Sequence, residues 1–491
     1  MKKFIISIDQ GTTSSRVILF NKNFKVVDIV QKELTQYFPN EGWVEHNPIE
    51  ILNDVKFLIK KILIKNHLNP IQILSIGITN QRETTVLWNK KTGKPIYNAI
   101  VWQDRRTSKL CDFLKRKKYQ KKIRQITGLL IDPYFSATKI KWIIENKKNT
   151  KKLIKNNNLM FGTIDTWLLW NLTTKKLHLT DITNASRTML FDIKKEKWSK
   201  ELLKILKIPE SILPKVVSNV YDFGKMKIFN NTIQIGAMAG DQHSALIGQA
   251  CFKIGQSKST YGTGCFLLMN IGYKFKLSKQ KLLTTIAYKI NNKKMYAYEG
   301  SIFVAGSAIQ WLRDKLKFFK SSSDTNKLYE KANKNERIVV IPALTGLGAP
   351  HWAPNVRGAI FGLTRNTSIS DIIKSTLQSI AYQTYDLINC MEKNSGKKII
   401  DMRIDGGMAK NINFIKFLSN ILQINIIRSQ NIETTALGVA YLAGLFSGII
   451  KKTSDIEKQW EYKDIFKPKI SKKLRKNLLE EWHYHINKIL N

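Results

Sequence analysis

Cysteine is scarce in this chain, with four in 491 residues: Cys111, Cys251, Cys265 and Cys390. They form no CxxC pair and have no histidine at ligand spacing, which argues against a disulfide framework and a zinc site and fits a reducing cytoplasm. Long apolar runs are missing as well. No stretch approaches the roughly 20 apolar residues of a membrane span. The apolar run after Lys2 and Lys3 is too short for a signal peptide, because Asp9 ends it. Acidic residues are few, 37 Asp and Glu against 81 Lys and Arg, leaving a formal net charge of +44. Such an excess ordinarily suggests a nucleic-acid partner. Here Lys, Asn and Ile, all with A- and T-rich codons, are over-represented everywhere, loops included. The densest basic runs, KRKKYQKK at 115–122 and KKLRK at 472–476, are short and hold few aromatics. The charge therefore speaks to solubility and non-specific sticking, and no specific nucleic acid is expected.

What the chain does have is apolar content of 43% spread over 491 residues, more than one core usually holds. Two domains of roughly 200 to 250 residues each are the natural prior. Each half carries a Gly-Thr turn, DQGTTSSR at 9–16 and TYGTGCF at 260–266. Each turn follows a short apolar run and offers backbone N–H groups and hydroxyls to phosphate oxygens. The first turn leads into a strand, so it is no Walker loop, which needs GKS or GKT opening a helix. Two such turns, one per half, suggest a phosphate clamp closed by two similar lobes facing each other across a cleft.

Alternating apolar residues punctuated by Gly and Asn predict an opening meander of FIISI, SRVILF and FKVVDIV. A helix over 48–65, a strand over 73–79 and a helix around 137–147 follow, giving a mixed α/β organisation. The second half repeats the theme, with strand, turn and strand over 255–270 and a further hairpin of IAYKI with KKMYAYEG. Helices are expected at 305–319, 370–392 and 410–422. The Gly- and Pro-rich stretch 341–363 between them reads as an ordered loop lining the cleft.

Several polar residues sit where ligands gather. Arg82 and Glu83 follow an apolar strand, and strand ends are where α/β folds bind ligands. As an isolated pair they would more often be a surface ion pair. Asp241 stands between Gly240 and Gln242 before an apolar helical stretch. Taken alone it reads as a helix N-cap; the functional alternative is a general base accepting a proton from an attacking hydroxyl. Gly300 and Gly306, and Gly406 with Gly407, precede helices, where backbone can approach phosphate closely or simply turn tightly.

In order along the chain, SIDQGTTSSR, NQRETT, WQDRR, YFSATKIKWIIEN, AGDQ, YGTGCF, AGSAIQWLRD, APHWAPNVRGAIFGLT, GAIFGLTRNTSISDIIKSTLQ and DGGMAKN resemble the FGGY carbohydrate kinases, and among them their glycerol kinase branch. The resemblance spans about residue 4 to about residue 446. It implies an actin-like, RNase H-like α/β fold of two lobes, 1–246 and 247–491, each with a mixed sheet beside a central cleft. It also implies ATP-dependent phosphorylation of glycerol to sn-glycerol 3-phosphate. By motif, Arg82, Glu83, Tyr134, Asp241 and Gln242 would hold glycerol, Trp102 and Phe266 would pack on its carbon face, and Asp241 would be the base. Thr12, Thr13, Ser14, Arg16, Thr263, Gly306, Gln310, Gly407 and Asn411 would contact ATP, and Asp9 with Asp241 would hold Mg²⁺ through waters. A cytoplasmic homodimer or homotetramer is implied too.

The chain departs from the resemblance in three places. DFGKMKIFNN at 222–231 replaces the glycine-rich loop of relatives inhibited by fructose 1,6-bisphosphate, so that inhibitor site is not implied. KPKISKKLRKN at 467–477 does not resemble the segment presented to a sugar-transport regulatory protein, so that partnership is not implied either. Gln378 stands where a Glu is common. The rival readings are another FGGY kinase acting on a pentulose or gluconate, and an actin-like or chaperone-like ATPase with no acceptor pocket.

Overall fold

The computed structural model describes residues 3–353 and 355–490. In the first half, β1 (Phe4–Gln10), β2 (Ser14–Asn21) and β3 (Val26–Glu33) form the expected antiparallel meander. The third strand starts two residues later than its apolar pattern suggests. Phe24 is in the left-handed region (φ 57°) and buried, so it closes the turn instead of extending the strand. Helix α1 (Pro48–Lys65) begins where the Asn47 side chain accepts from the Ile49 N–H and Pro48 fills the first turn. Then come β4 (Ile73–Asn80), β5 (Lys225–Ile228) and β6 (Asn231–Gly240), and helix α2 (Asp241–Gly248). Strand order is β5-β6-β4-β1-β2-β3, with β4 parallel to both β1 and β6. The DFGKMKIFNN stretch is thus the edge hairpin of this sheet.

The second half contains β7 (Ser257–Tyr261), β8 (Cys265–Gly272), β9 (Leu283–Ile290), β10 (Lys293–Ile302) and helix α3 (Gly306–Asp314). Next come α4 (Ile369–Ser395), β11 (Met402–Asp405), α5 (Ile412–Leu422), β12 (Ile426–Ser429), α6 (Thr434–Phe446), β13 (Tyr462–Phe466) and α7 (Lys472–Leu490). The seven-stranded order is β9-β10-β8-β7-β11-β12-β13, with β7, β11 and β12 parallel. Each sheet therefore pairs an antiparallel hairpin around a Gly-Thr turn with parallel strands reached by crossovers. Helix α3 stops short of the expected residue 319, because Lys317 turns into the left-handed region (φ 58°). The stretch expected as a loop over 341–363 is bracketed by a short ladder, Val339–Ile341 against Ala359–Phe361.

Six apolar cores lie among the described residues, and the three largest frame the site. One lies between the first sheet, α1 and the helix Ile164–Leu172, and one lies inside the second lobe. The third joins the halves: Ile5, Ile18 and Leu246 meet Leu268, Ala297 and Leu442. Helix α6, late in the chain, packs on the first sheet, with Ser7 Oγ donating to the Ala436 carbonyl at 2.8 Å. It crosses α2 so closely that a Cβ on Gly248 would stand 1.9 Å from the Thr434 oxygen, and one on Gly438 would stand 1.8 Å from the Ser244 oxygen. Only glycine admits that approach.

Candidate functional site

Three neighbouring parallel strands of the first sheet end at one edge. Asp9 is in register with Thr79, Gln10 with Asn80, and Gly240 with Asn80. The segments leaving β4 and β6 therefore emerge beside Asp9, at the carboxyl ends where open α/β sheets bind ligands. Those segments are Gln81-Arg82-Glu83 and Asp241-Gln242. The Gly-Thr turn between β1 and β2 lies at the same edge and is closed by Gly11 N–H donating to the Ser14 oxygen at 2.9 Å.

Arg82 and Glu83 form no surface pair, being 2% and 1% exposed. Arg82 Nη1 and Nη2 donate to Glu299 Oε2 and Oε1 at 2.7 and 2.9 Å, and Nη2 reaches Tyr134 Oη at 3.3 Å. Its Nε lies 3.1 Å from Asp241 Oδ1. Arg187 Nε donates to Glu83 Oε1 at 2.6 Å, and its Nη2 to Glu299 Oε1 at 2.9 Å. Glu83 takes φ 61°, a left-handed conformation costing about 1 kcal/mol or more outside glycine. Ser136 Oγ and Thr85 Oγ1 hold its carbonyl at 2.9 and 3.0 Å. Burial opposes ionisation of Glu299, but Arg187 and Arg82 outweigh it and hold the carboxyl far below the usual range. For Glu83 burial prevails over Arg82 and Arg187 and pushes its carboxyl up.

Asp241 is the first helical residue of α2, and the N-cap position belongs to Gly240. The N-cap reading is thereby corrected: the half-buried carboxylate is turned to Arg82 instead of capping the helix. Its Oδ1 also accepts from Gln242 N–H at 2.7 Å, and its Oδ2 from Gln242 Nε2 at 3.1 Å. The helix start is tied down by Gly240 N–H donating to Thr183 Oγ1 at 3.0 Å. Trp102 packs edge-on against Tyr134 and Phe266, ring centroids 5.5 and 5.9 Å apart. Its indole N–H donates to Thr12 Oγ1 at 2.9 Å, so the aromatic box is joined to the first turn. Arg82, Glu83, Trp102, Tyr134, Asp241, Gln242 and Phe266 thus gather in one place. Phe266 comes from β8 and closes the box from the second lobe.

The remaining expected residues divide. Asp9 is half-buried; burial, with Glu433 and Asp241 adding and Arg16 opposing, pushes its carboxyl up to about 7. Arg16 is paired with Glu433, Nη1 to Oε2 at 2.9 Å, just ahead of α6. Thr13 is exposed and Ser14 buried. Across the cleft, Thr263 is exposed in the second turn, where its carbonyl accepts from the Ser307 N–H at 3.0 Å. Gly306 begins α3, with its N–H on the Gly262 oxygen at 3.0 Å; a Cβ there would sit 2.5 Å from that oxygen. Gly407 and Gln310 are exposed. Asn411 is spent on structure: Oδ1 caps α5 at Phe414 N–H, 2.9 Å, and Nδ2 donates to Thr325 at 3.0 Å. Gln378 donates to Tyr329 Oη at 3.2 Å.

Arg187, Glu299, Lys258 and Glu433 escaped the reading of motifs. The signal for Glu299 was a charge inside a largely apolar run, YAYEGSI; Arg187 in NASRTML and Lys258 in GQSKSTY stand among polar neighbours, which gave no such signal. Among the described residues no group of three or more His, Cys, Asp or Glu side chains is placed to hold a metal directly. No helix among them is long and apolar enough to cross a membrane.

The N-terminal domain model of the FGGY family of carbohydrate kinases matches residues 4–248, and its C-terminal domain model matches residues 258–446. A glycerol kinase of Bacillus subtilis is 50% identical over 485 residues, covering 98% of both chains. One from Clostridium botulinum is 48% identical over 493 residues, covering 100% of this chain and 99% of its own. Among solved structures, Plasmodium falciparum glycerol kinase with ADP is similar at a TM-score of 0.94 and 38% identity, covering 100% of this chain and 99% of that one. A ligand-bound xylulose kinase from Lactobacillus acidophilus shares the fold at a TM-score of 0.88 and 22% identity, covering 99% and 98% of the two chains. With both family models matched in order and relatives near half identical along its whole length, the chain belongs to the FGGY family of carbohydrate kinases.

Proposed function

We propose that this FGGY kinase transfers the γ-phosphoryl group of ATP to glycerol, giving sn-glycerol 3-phosphate. The observation that carries the reading is the convergence of Arg82, Glu83, Asp241 and Gln242 with the Trp102–Tyr134–Phe266 box at the carboxyl ends of β4 and β6. A small triol needs hydrogen-bonding groups on one side and an apolar wall on the other, and a site built that way rejects analogues lacking the hydroxyls. An ATPase without acceptor would have no use for such a pocket. The near-identical lengths and close identity of the glycerol kinases above support glycerol over a pentulose or gluconate.

The first lobe, residues 1–246, supplies the acceptor side and the first phosphate turn; the second, 247–491, supplies the nucleotide side. Asp241 accepts the proton of the attacking hydroxyl, and Arg82 Nε stands 3.1 Å from its Oδ1. Thr12, Thr13, Ser14 and Arg16 face the transferred phosphate from the first turn. Thr263, Gly306, Gln310 and Gly407 form the nucleotide's surroundings, and Asn411 shapes them by starting α5. Asp9, with Asp241 near it, would hold one Mg²⁺ through waters, the cation offsetting the burial that pushes the Asp9 carboxyl up. Mg²⁺ usually keeps several waters and takes one or two carboxylates plus phosphates. Bound there, it would neutralise charge developing on the phosphates. The same reading implies a cytoplasmic homodimer or homotetramer, which sedimentation would test.

The deciding experiment is Asp241→Asn assayed by ADP release over a panel of polyols. Loss of a general base predicts a kcat lower by about 10²–10⁴-fold, with glycerol still bound. Near-normal turnover would remove Asp241 from that role, and a wild type preferring another polyol would replace glycerol.

A further inference from the structure

Lys258 and Glu299 occupy one row of the second sheet. Lys258 on β7 is in register with Leu268 on β8, and Leu268 with Glu299 on β10, so the three side chains share a face. Leu268 belongs to the core between the lobes. Two opposite charges, 0% and 1% exposed, therefore flank a leucine in an apolar contact between halves. Buried charges in such a place are a poor stability device, since hydrophobic residues of similar volume serve as well or better.

Their partners explain the placement. Glu299 takes both terminal nitrogens of Arg82 and, through Arg187, steadies Glu83. Lys258 Nζ donates to Gln242 Oε1, and to Thr260 Oγ1 at 3.0 Å. An ammonium has only donors, so the Gln242 carbonyl oxygen must face it and the amide nitrogen must face Asp241. That nitrogen lies 3.1 Å from Asp241 Oδ2. Arg82, Arg187 and Lys258 balance Glu83, Asp241 and Glu299, so losing one member leaves an uncompensated buried charge.

We propose that Glu299 and Lys258 are positioning residues for the acceptor: the second lobe's sheet sets the orientation of Arg82, Glu83 and Gln242, so that the polyol site is complete only when the lobes are docked. This rests on the acceptor-site reading above. The test uses the full chain. Wild type is first assayed against the polyol panel, and the acceptor it turns over, glycerol or another, serves throughout. A wild type that prefers another polyol overturns only glycerol; one that uses no acceptor overturns both readings. In Glu299→Gln and Lys258→Met the acceptor KM is expected to rise about tenfold to a hundredfold, the scale of a lost charged hydrogen bond, while the ATP KM stays within about twofold. A cooperatively folded variant with unchanged acceptor KM, or with both KM values rising together, overturns the proposal. Where these changes prevent folding, Glu299→Asp and Lys258→Gln keep part of each contact and must show the same split. Failure of all four to fold makes the row a folding element and overturns the positioning role.

Discussion

His178 stands edge-on to Trp88 and Trp170, ring centroids 5.6 and 6.1 Å away, and its Nε2 donates to the Phe161 carbonyl at 2.8 Å. Burial lowers its pKa from the ordinary 6.5 to about 4, against the small help of the Phe161 oxygen. The folded state thus binds fewer protons than the unfolded chain between these values, so the stability from the neutral ring is full above pH 6.5 and is lost as pH falls towards 4. His178→Gln should cost about 2 kcal/mol at pH 7 through lost packing, and that disadvantage should shrink on acidification, because only wild type carries the titration. Denaturant midpoints of both proteins at pH 7.0, 5.5 and 4.5 would check it; a constant gap would contradict the buried, neutral ring. The strand-end position of Arg82 and the helix-start position of Asp241 were legible from their neighbours in sequence, but their burial and pairing were not: alone, one read as half of a surface ion pair and the other as an N-cap. The role of Glu299 was not legible, because it depends on Arg82, 217 residues away.

At the scale of elements, the crossing of α2 and α6 is the joint on which the site depends. Asp241 opens α2, and Glu433, the partner of Arg16, precedes α6. A methyl group on Gly438 would meet the Ser244 carbonyl at 1.8 Å. Gly438→Ala is therefore expected to destabilise the protein by about 2–3 kcal/mol, the range for overpacking a core. It should also impair turnover even where the chain folds, since separating the helices moves Asp241 relative to the second lobe. A variant with the wild-type denaturation midpoint would argue against the crossing. The elements themselves were largely readable: α1 follows its apolar period from Pro48 to Lys65, and both Gly-Thr hairpins form where alternation and turn residues coincide. The ladder inside 341–363 was obscured because glycine and proline dominate the stretch that its short strands bracket. The packing of α6 on the first sheet was invisible, as a helix that is apolar all round does not name its neighbour.

For the whole molecule, the exchange of α6 onto the first sheet and the shared core of Ile5, Leu246, Leu268 and Leu442 mean that neither lobe completes its packing alone. Calorimetry is expected to show one cooperative unfolding transition, and two separated transitions would show the lobes to be independent. A ligand that bridges the cleft should raise that transition, by about 2.7 kcal/mol at a hundredfold excess over Kd; ADP with glycerol is the pair to add. By itself the sequence determined most of the alternation of strands and helices and the two Gly-Thr hairpins, because these depend on local periodicity and turn chemistry, and its ordered motifs carried the family. Only the tertiary structure decided that Arg82 is gripped by Glu299, that Lys258 turns the Gln242 amide towards Asp241, and that Asn411 spends its side chain on a helix cap. Those are pairings of buried charge and hydrogen bonds between residues far apart in the chain, and spacing along a sequence carries no record of which distant partner will neutralise a charge once both are taken out of water.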